Sequence, residues 1–185
     1  MASSARKKAT YEDLLAVPAP LVAEIIRGTL VTMPRPQLRH ANASTQLTFE
    51  LAGFGSRRGG PGGWLILVEP EVHLGEEVLV PDLAAWRRER VPEMPDEAFF
   101  TVAPDWVCEV LSPSTEVIDR ADKLPIYAEH KVGQVWLLDP EIKTLEVFRL
   151  DGKTYRLLHT SKEDARIRAE PFEALELDLS ILWER

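Results

Sequence analysis

Short apolar runs alternate along the chain with dense polar punctuation, and the spacing between them changes from segment to segment. Thr10-Tyr11-Glu12-Asp13-Leu14-Leu15 reads as a capped helix: Thr10 caps, Asp13 lies three residues on, and two leucines follow. Pro18 and Pro20 stop it. Ala23 to Met33 places two β-rich arms around Arg27-Gly28-Thr29, which predicts a hairpin ended by Pro34 and Pro36. From about Arg39 to Arg58 the period becomes helical, with Leu47, Leu51 and Phe54 three or four apart. Gly53 and Gly55 and the Gly59-Gly60 pair close that segment, and Gly59-Gly60-Pro61-Gly62-Gly63 is a loop.

A β-meander follows. Trp64 to Leu74 forms one arm, Gly75-Glu76-Glu77 turns, and Val78 to Trp86 returns. Arg87 to Pro104 is charged, Pro-rich and irregular, and Trp106 to Leu111 is a third apolar strand. Ser112-Pro113-Ser114-Thr115 is a turn from which Ser114 or Thr115 caps a helix running to about Lys131. Gly133 stops the helix, and Gln134 to Leu138 is a strand. Lys143 to Arg149 and Thr154 to His159 pair across Asp151-Gly152, a strong hairpin signal. Phe172 to Trp183 is apolar at intervals without a decisive period. The order is a helix, three strands, a helix and a strand, with one hairpin before and one after. This predicts a mixed α/β fold layered on a central sheet.

Length and composition narrow the picture. The 185 residues suit one domain, residues 10–185, behind a flexible tail at 1–9. The chain is 45% hydrophobic and 28% charged, enough apolar material for a core. No run approaches the roughly 20 apolar residues of a membrane span. Arg6, Lys7 and Lys8 precede no apolar stretch, so no secretory signal is expected. The single cysteine, Cys108, lies in an apolar strand and reads as core packing; a cytoplasmic location is expected. The net charge of −8 argues against phosphate-driven binding over the whole surface, though a local patch remains compatible with it.

Two carboxylates break this pattern. Asp82 interrupts the run Val78 to Trp86, and Glu109 interrupts Trp106 to Leu111. A carboxylate inside an apolar strand is costly unless a cation meets it. Alternation groups Val78, Val80, Asp82 and Ala84, and groups Val107, Glu109 and Leu111. If the strands are neighbours, the two acids converge, and Mg²⁺ accepts one or two carboxylates with water and phosphate. The alternative is structural: Asp82 forms a strand-end turn and Glu109 pairs with Arg or Lys. Downstream, Asp119, Lys123 and Tyr127 share one helix face, which suits either a helix ion pair or a lysine reaching toward the acids. Glu69, Glu71 and His73 offer either another acidic cluster or exposed strand positions.

These segments also resemble a family. Thr10-Tyr11-Glu12-Asp13-Leu14, Val80-Pro81-Asp82-Leu83, Pro104-Asp105-Trp106 through Ser114-Thr115, Asp119-Arg120 with Lys123 and Tyr127, and Val135-Trp136-Leu137-Leu138-Asp139-Pro140 are similar to the Uma-type family of restriction-endonuclease-like proteins. That family, once a domain of unknown function, lies in the PD-(D/E)XK nuclease superfamily. The resemblance runs from about Thr10 to Leu158 and implies an αβββαβ restriction-endonuclease-like core. It implies Asp82 and Glu109 as catalytic metal ligands for Mg²⁺, with Mn²⁺ as a substitute. The superfamily's usual lysine position falls on Leu111, so the resemblance points to Lys123 instead. Glu24 and His40 match positions of a further ligand or a supporting group. The implied activity is hydrolysis of DNA phosphodiesters, with a homodimer as one arrangement for cutting both strands. The competing reading, favoured by the acidity, is a noncatalytic nucleic-acid or protein binding module that keeps the fold. Two departures from the family pattern stand out: Arg27-Gly28-Thr29 lacks the acids of the family's hairpin turn, and Pro36 to His40 lacks a Ser-Pro start. No helix-turn-helix, zinc site or basic arm beyond Arg6-Lys7-Lys8 is visible, which also favours the binding module.

Overall fold

The computed structural model describes residues 8–55 and 60–184. The expected αβββαβ order is present around a six-stranded mixed sheet. Helix α1 (Tyr11–Leu15) is closed by a reciprocal box: Asp13 N–H donates to the Thr10 hydroxyl, and Thr10 N–H donates to Asp13. Strands β1 (Leu21–Ile26) and β2 (Thr29–Pro34) form the first hairpin. Its turn is Arg27-Gly28, at φ 51° and 75°, the paired left-handed geometry that matches strand twist. The expected tail is partly outside the described residues. Its last two residues are tied down: Ala9 N–H donates to Gly28 C=O at 2.9 Å, and Lys8 pairs with Glu76.

Helix α2 (Leu38–Gly55) buries His40, Ala43, Ser44, Leu47, Leu51 and Phe54, a single stripe at helical spacing. Arg57 and Arg58 of the predicted helix lie outside the described residues. The meander departs from its predicted two long arms. Each arm breaks in two, giving β3 (Trp64–Val68), β4 (Val72–Leu74), β5 (Glu77–Leu79) and β6 (Leu83–Arg87). Prolines 70 and 81, which have no N–H for a ladder, stand at the two breaks, and Glu69 adopts φ 48°. The hairpin therefore passes between two sheets. β4 and β5 join β1 and β2 in the order β2-β1-β5-β4, whereas β3 and β6 are neighbours at one edge of the six-stranded main sheet. Asp82 consequently lies on the bend before β6, not within a strand.

Strand β7 (Trp106–Val110) pairs antiparallel with β6, Leu83 opposite Cys108, and parallel with β8 (Gln134–Asp139). The crossover between β7 and β8 comprises α3 (Glu116–Ile118), a π turn (Asp119–Lys123) and α4 (Leu124–Glu129). The Leu124 N–H reaches back five residues to Asp119 C=O just before Pro125, where an ordinary helix would lose a bond. No side-chain cap forms at Thr115. The helix ends with Lys131 at φ 64° rather than at Gly133, whose N–H donates to Asp105 C=O. Strands β9 (Thr144–Asp151) and β10 (Thr154–Lys162) form the second hairpin, with Gly152-Lys153 as its two-residue turn, one position beyond the predicted one.

The main sheet is covered on both faces. On one, α2 packs with Trp106, Cys108, Val110 and Trp136, and the C-terminal segment completes the layer. That segment contains a small ladder, β11 (Arg166–Ile167) with β12 (Leu177–Asp178), and a 3₁₀ helix, Leu179–Trp183. Phe172 is the hub, its ring centroid 4.8 to 5.8 Å from Phe54, Trp64, Trp106 and Trp136. On the other face, Val107 and Leu111 pack against Ile126 and Tyr127 of α4 and Leu79 of the second sheet. Cys108 is fully buried, and burial pushes its thiol well above its ordinary range, as core packing predicts. Among the described residues no helix is long and apolar enough to cross a membrane.

Candidate functional site

Strand alternation puts Glu109 on the face of β7 shared by Val107 and Leu111, beneath the crossover helix. It is almost fully buried. The crossover then supplies its partners. Asp119, Lys123 and Tyr127 project from one side of the π turn and α4, and the Tyr127 hydroxyl donates to Glu109 Oε1. Lys123 Nζ lies 3.4 Å from the same oxygen, 3.4 Å from Asp119 Oδ1 and 3.0 Å from Glu24 Oε1. Its side chain is only 3% exposed. Glu24 comes from β1 in the second sheet, and its Oε1 also accepts the Val80 N–H at 2.7 Å. Three sheet and helix layers thus meet at one ammonium group.

Asp82 faces the same place from the bend before β6. Its Oδ2 accepts the Val110 N–H at 2.7 Å, and its own N–H donates to Glu109 Oε2 at a long 3.4 Å. Its Oδ1 lies 3.1 Å from His40 Nε2. With a side chain 17% exposed, Asp82 is the more open acid. Asp82, Glu109, Lys123, His40 and Asp119 line one cleft of about 100 Å³. The structure therefore brings the candidate residues Asp82, Glu109, Lys123 and His40 to one cleft, with the fifth, Glu24, behind Lys123. The helix pair Asp119–Lys123 and the approach of Lys123 to Glu109 both occur.

The electrostatics follow from burial. Burial alone would push the Lys123 ammonium down, but Glu109, Glu24, Asp119 and Asp82 together hold it well above its ordinary value. Burial pushes the Glu109 carboxyl well above the usual carboxylate range; Lys123 pulls it back, while Asp119, Asp82 and Glu24 add to the rise. Burial also raises Asp119, against the pull of Lys123 and a hydrogen bond from Thr115. Burial alone would push His40 down, but the hydrogen bond and charge of Asp82, with Asp119 and Glu69, raise it above its ordinary value. Burial and Glu109 push the Tyr127 phenol well up, so it remains a donor.

Four carboxylates face one lysine and one histidine, an excess of negative charge. Spare oxygen capacity accompanies it: Glu24 Oε2 has no hydrogen-bond partner among the described residues. Among those residues no three His, Cys, Asp or Glu side chains form a ready-made metal cage.

Other expectations resolve differently. Glu69 lines the cleft, whereas Glu71 and His73 do not join it. Glu71 Oε1 accepts from the Tyr11 hydroxyl and lies 2.7 Å from His73 Nε2, and the His73 ring stacks on Phe99 at 3.8 Å. They tie α1 to the second sheet. Sequence reasoning missed Arg35 and the hydroxyls of Ser112, Ser114 and Thr115 at the cleft. The two prolines flanking Arg35 were the available signal.

A mixed sheet with one parallel crossover, carrying buried acids at a strand end and a lysine from the crossover helix, is a nuclease-like architecture. The chain belongs to the Uma2 family, described as "Putative restriction endonuclease", which it matches over residues 9–181. A crystal structure described as "a putative nuclease belonging to DUF820", from Anabaena variabilis, has the same fold: the TM-score is 0.73 at 24% identity, covering 95% of this chain and 97% of that one. No curated protein matches the chain.

Proposed function

We propose that this chain is a metal-dependent endonuclease that hydrolyses DNA phosphodiester bonds, using Mg²⁺ and accepting Mn²⁺. The observation that carries the reading is the approach of Lys123 Nζ to Glu109, 3.4 Å, in the cleft that also holds Asp82. Leu111 leaves the superfamily's usual lysine position empty of charge, and the crossover helix delivers an ammonium to the same neighbourhood. Asp82 and Glu109 would hold the ion, which when bound supplies Lewis-acid polarisation of the phosphate and a more acidic water.

The remaining roles belong to the chain. Lys123, kept charged by its carboxylates, offsets negative charge developing on the phosphate during in-line attack by water. His40 and the Val110 N–H fix the two oxygens of Asp82. Tyr127 fixes one oxygen of Glu109 and leaves Oε2 toward Asp82. Burial, offset only in part by Lys123, holds the Glu109 carboxyl above its ordinary range, so a cation held there would bind more tightly as pH rises.

The test is cleavage of single-stranded and duplex DNA by purified protein in Mg²⁺ or Mn²⁺. Cutting of at least one form is expected, with loss to background in Asp82→Ala and Glu109→Gln. Absence of cutting with either ion, or an Asp82→Ala protein that cuts like the parent, overturns the reading. Mn²⁺ titration separates a binding module: an enzyme loses affinity in Glu109→Gln, whereas a module with a vestigial site has none to lose.

A further inference from the structure

The cleft is poorly built for a duplex. Binding duplex DNA over a normal footprint takes several Lys or Arg side chains on phosphates. Several described cations are ion-paired within the molecule: Arg27 with Glu129, Arg39 with Glu141, Arg90 with Asp105, Arg120 with Glu146, Arg149 with Glu170. The net charge of −8 repels a long run of phosphates. At the cleft itself, His40 and Lys123 are taken by carboxylates, which leaves exposed Arg35 as the cation without an ion pair among the described lining residues.

The mouth has a second character. Val22, Met33 and Pro34 of the first hairpin, with Pro36, give it an apolar rim. The same lining carries the hydroxyls of Ser112, Ser114 and Thr115, with Ser112 Oγ 3.0 Å from each of the other two. A duplex presents sugar and phosphate outward and stacks its bases inward, so an apolar rim gains nothing from it. A single strand can turn a base against apolar side chains while its phosphate meets one cation and hydroxyl donors. The volume of about 100 Å³ suits one phosphodiester and a few waters.

We propose that the cleft takes a single strand of nucleic acid, such as a flap, gap or loop, with Arg35 on a phosphate beside the scissile one and the hairpin rim against an unstacked base. This rests on the nuclease reading for which phosphate is cut, but not for which strand form binds. Arg35 is a binding residue; hydroxyls and rim complete the grip.

Fluorescence anisotropy with Glu109→Gln protein and labelled 12-nucleotide single-stranded DNA, the same RNA, and duplex DNA tests it. Single strands are expected to bind at least about tenfold tighter than duplex, and the DNA and RNA arms decide the sugar. The slope of log affinity against log salt should be shallow, near −0.7 per phosphate for one or two contacts. Arg35→Ala should lower affinity about tenfold and flatten the slope by about 0.7. Met33→Ser should weaken single strands and leave duplex binding unchanged. Duplex bound equally or tighter, a slope steeper than about −5, or no effect of Arg35→Ala overturns this inference and leaves the nuclease reading standing. A parent protein that selects single strands yet cuts none in Mg²⁺ or Mn²⁺ does the reverse.

Discussion

Replacing Lys123 by Met removes one buried positive charge while keeping nearly the same side-chain volume. Glu24, Glu109 and Asp119 then face one another at a point that now holds no cation. At an effective dielectric near 20, the 3.0 Å contact with Glu24 was worth about 5 kcal/mol of attraction before desolvation is subtracted. The cluster's cheapest response is to bind one more proton. Forcing one carboxylate with an ordinary pKa near 4.3 to stay neutral costs about 1.4 kcal/mol per pH unit, hence about 5 kcal/mol at pH 8 and about 1 kcal/mol at pH 5. The larger figure matches the 3–5 kcal/mol typical of breaking a buried ion pair. Urea unfolding followed by tryptophan fluorescence reads it, since Trp64, Trp86, Trp106 and Trp136 are all buried. Lys123→Met should therefore be far less stable than the parent at pH 8 and nearly equal at pH 5. A loss below about 1 kcal/mol at pH 8, or one of equal size at both pH values, would refute this account of the charge cluster.

The cation-free parent should lose stability as pH rises from 5 to 8. Glu109 is raised in the folded state, so the folded protein holds a proton that the unfolded chain has released, and His40, also raised, adds stability that fades as it deprotonates. Thermal melts across that range check the direction, and millimolar Mg²⁺ should flatten the trend. Tyr127→Phe removes the hydroxyl donated to buried Glu109 and should cost about 1–3 kcal/mol, read by the same urea titration. Phe172→Ala empties the hub of an aromatic cluster and should cost about 3–5 kcal/mol with the cleft residues untouched; Mn²⁺ affinity of the folded variant should stay at the parent level.

Much of the fold was legible because local patterns carried it. The Thr10–Asp13 box, the stripe Leu47, Leu51, Phe54, and the alternation around Glu109 all depend on near neighbours in the chain. Where the reading slipped, a tertiary demand overrode a local signal. The apolar pattern of the meander continues through Pro70 and Pro81 and so predicts two long arms. The actual bend arises because four strands are shared between two sheets, and only their packing shows it. Phe172 to Trp183 had no period because its apolar residues plug the hollows of an existing layer rather than one face of an element.

The candidate acids, the helix face shared by Asp119, Lys123 and Tyr127, and the family are all legible along the chain. Those rest on residue type and spacing, which the chain states outright. Tertiary structure alone decided that Glu24 crosses from the second sheet, that His40 meets Asp82 from the opposite layer, and that Lys123 ends beside Glu109 instead of in water. The physical reason is that charge is a long-range property of a buried place, set by whichever layers close over it. No local pattern records which distant carboxylates a lysine will meet once the solvent is gone.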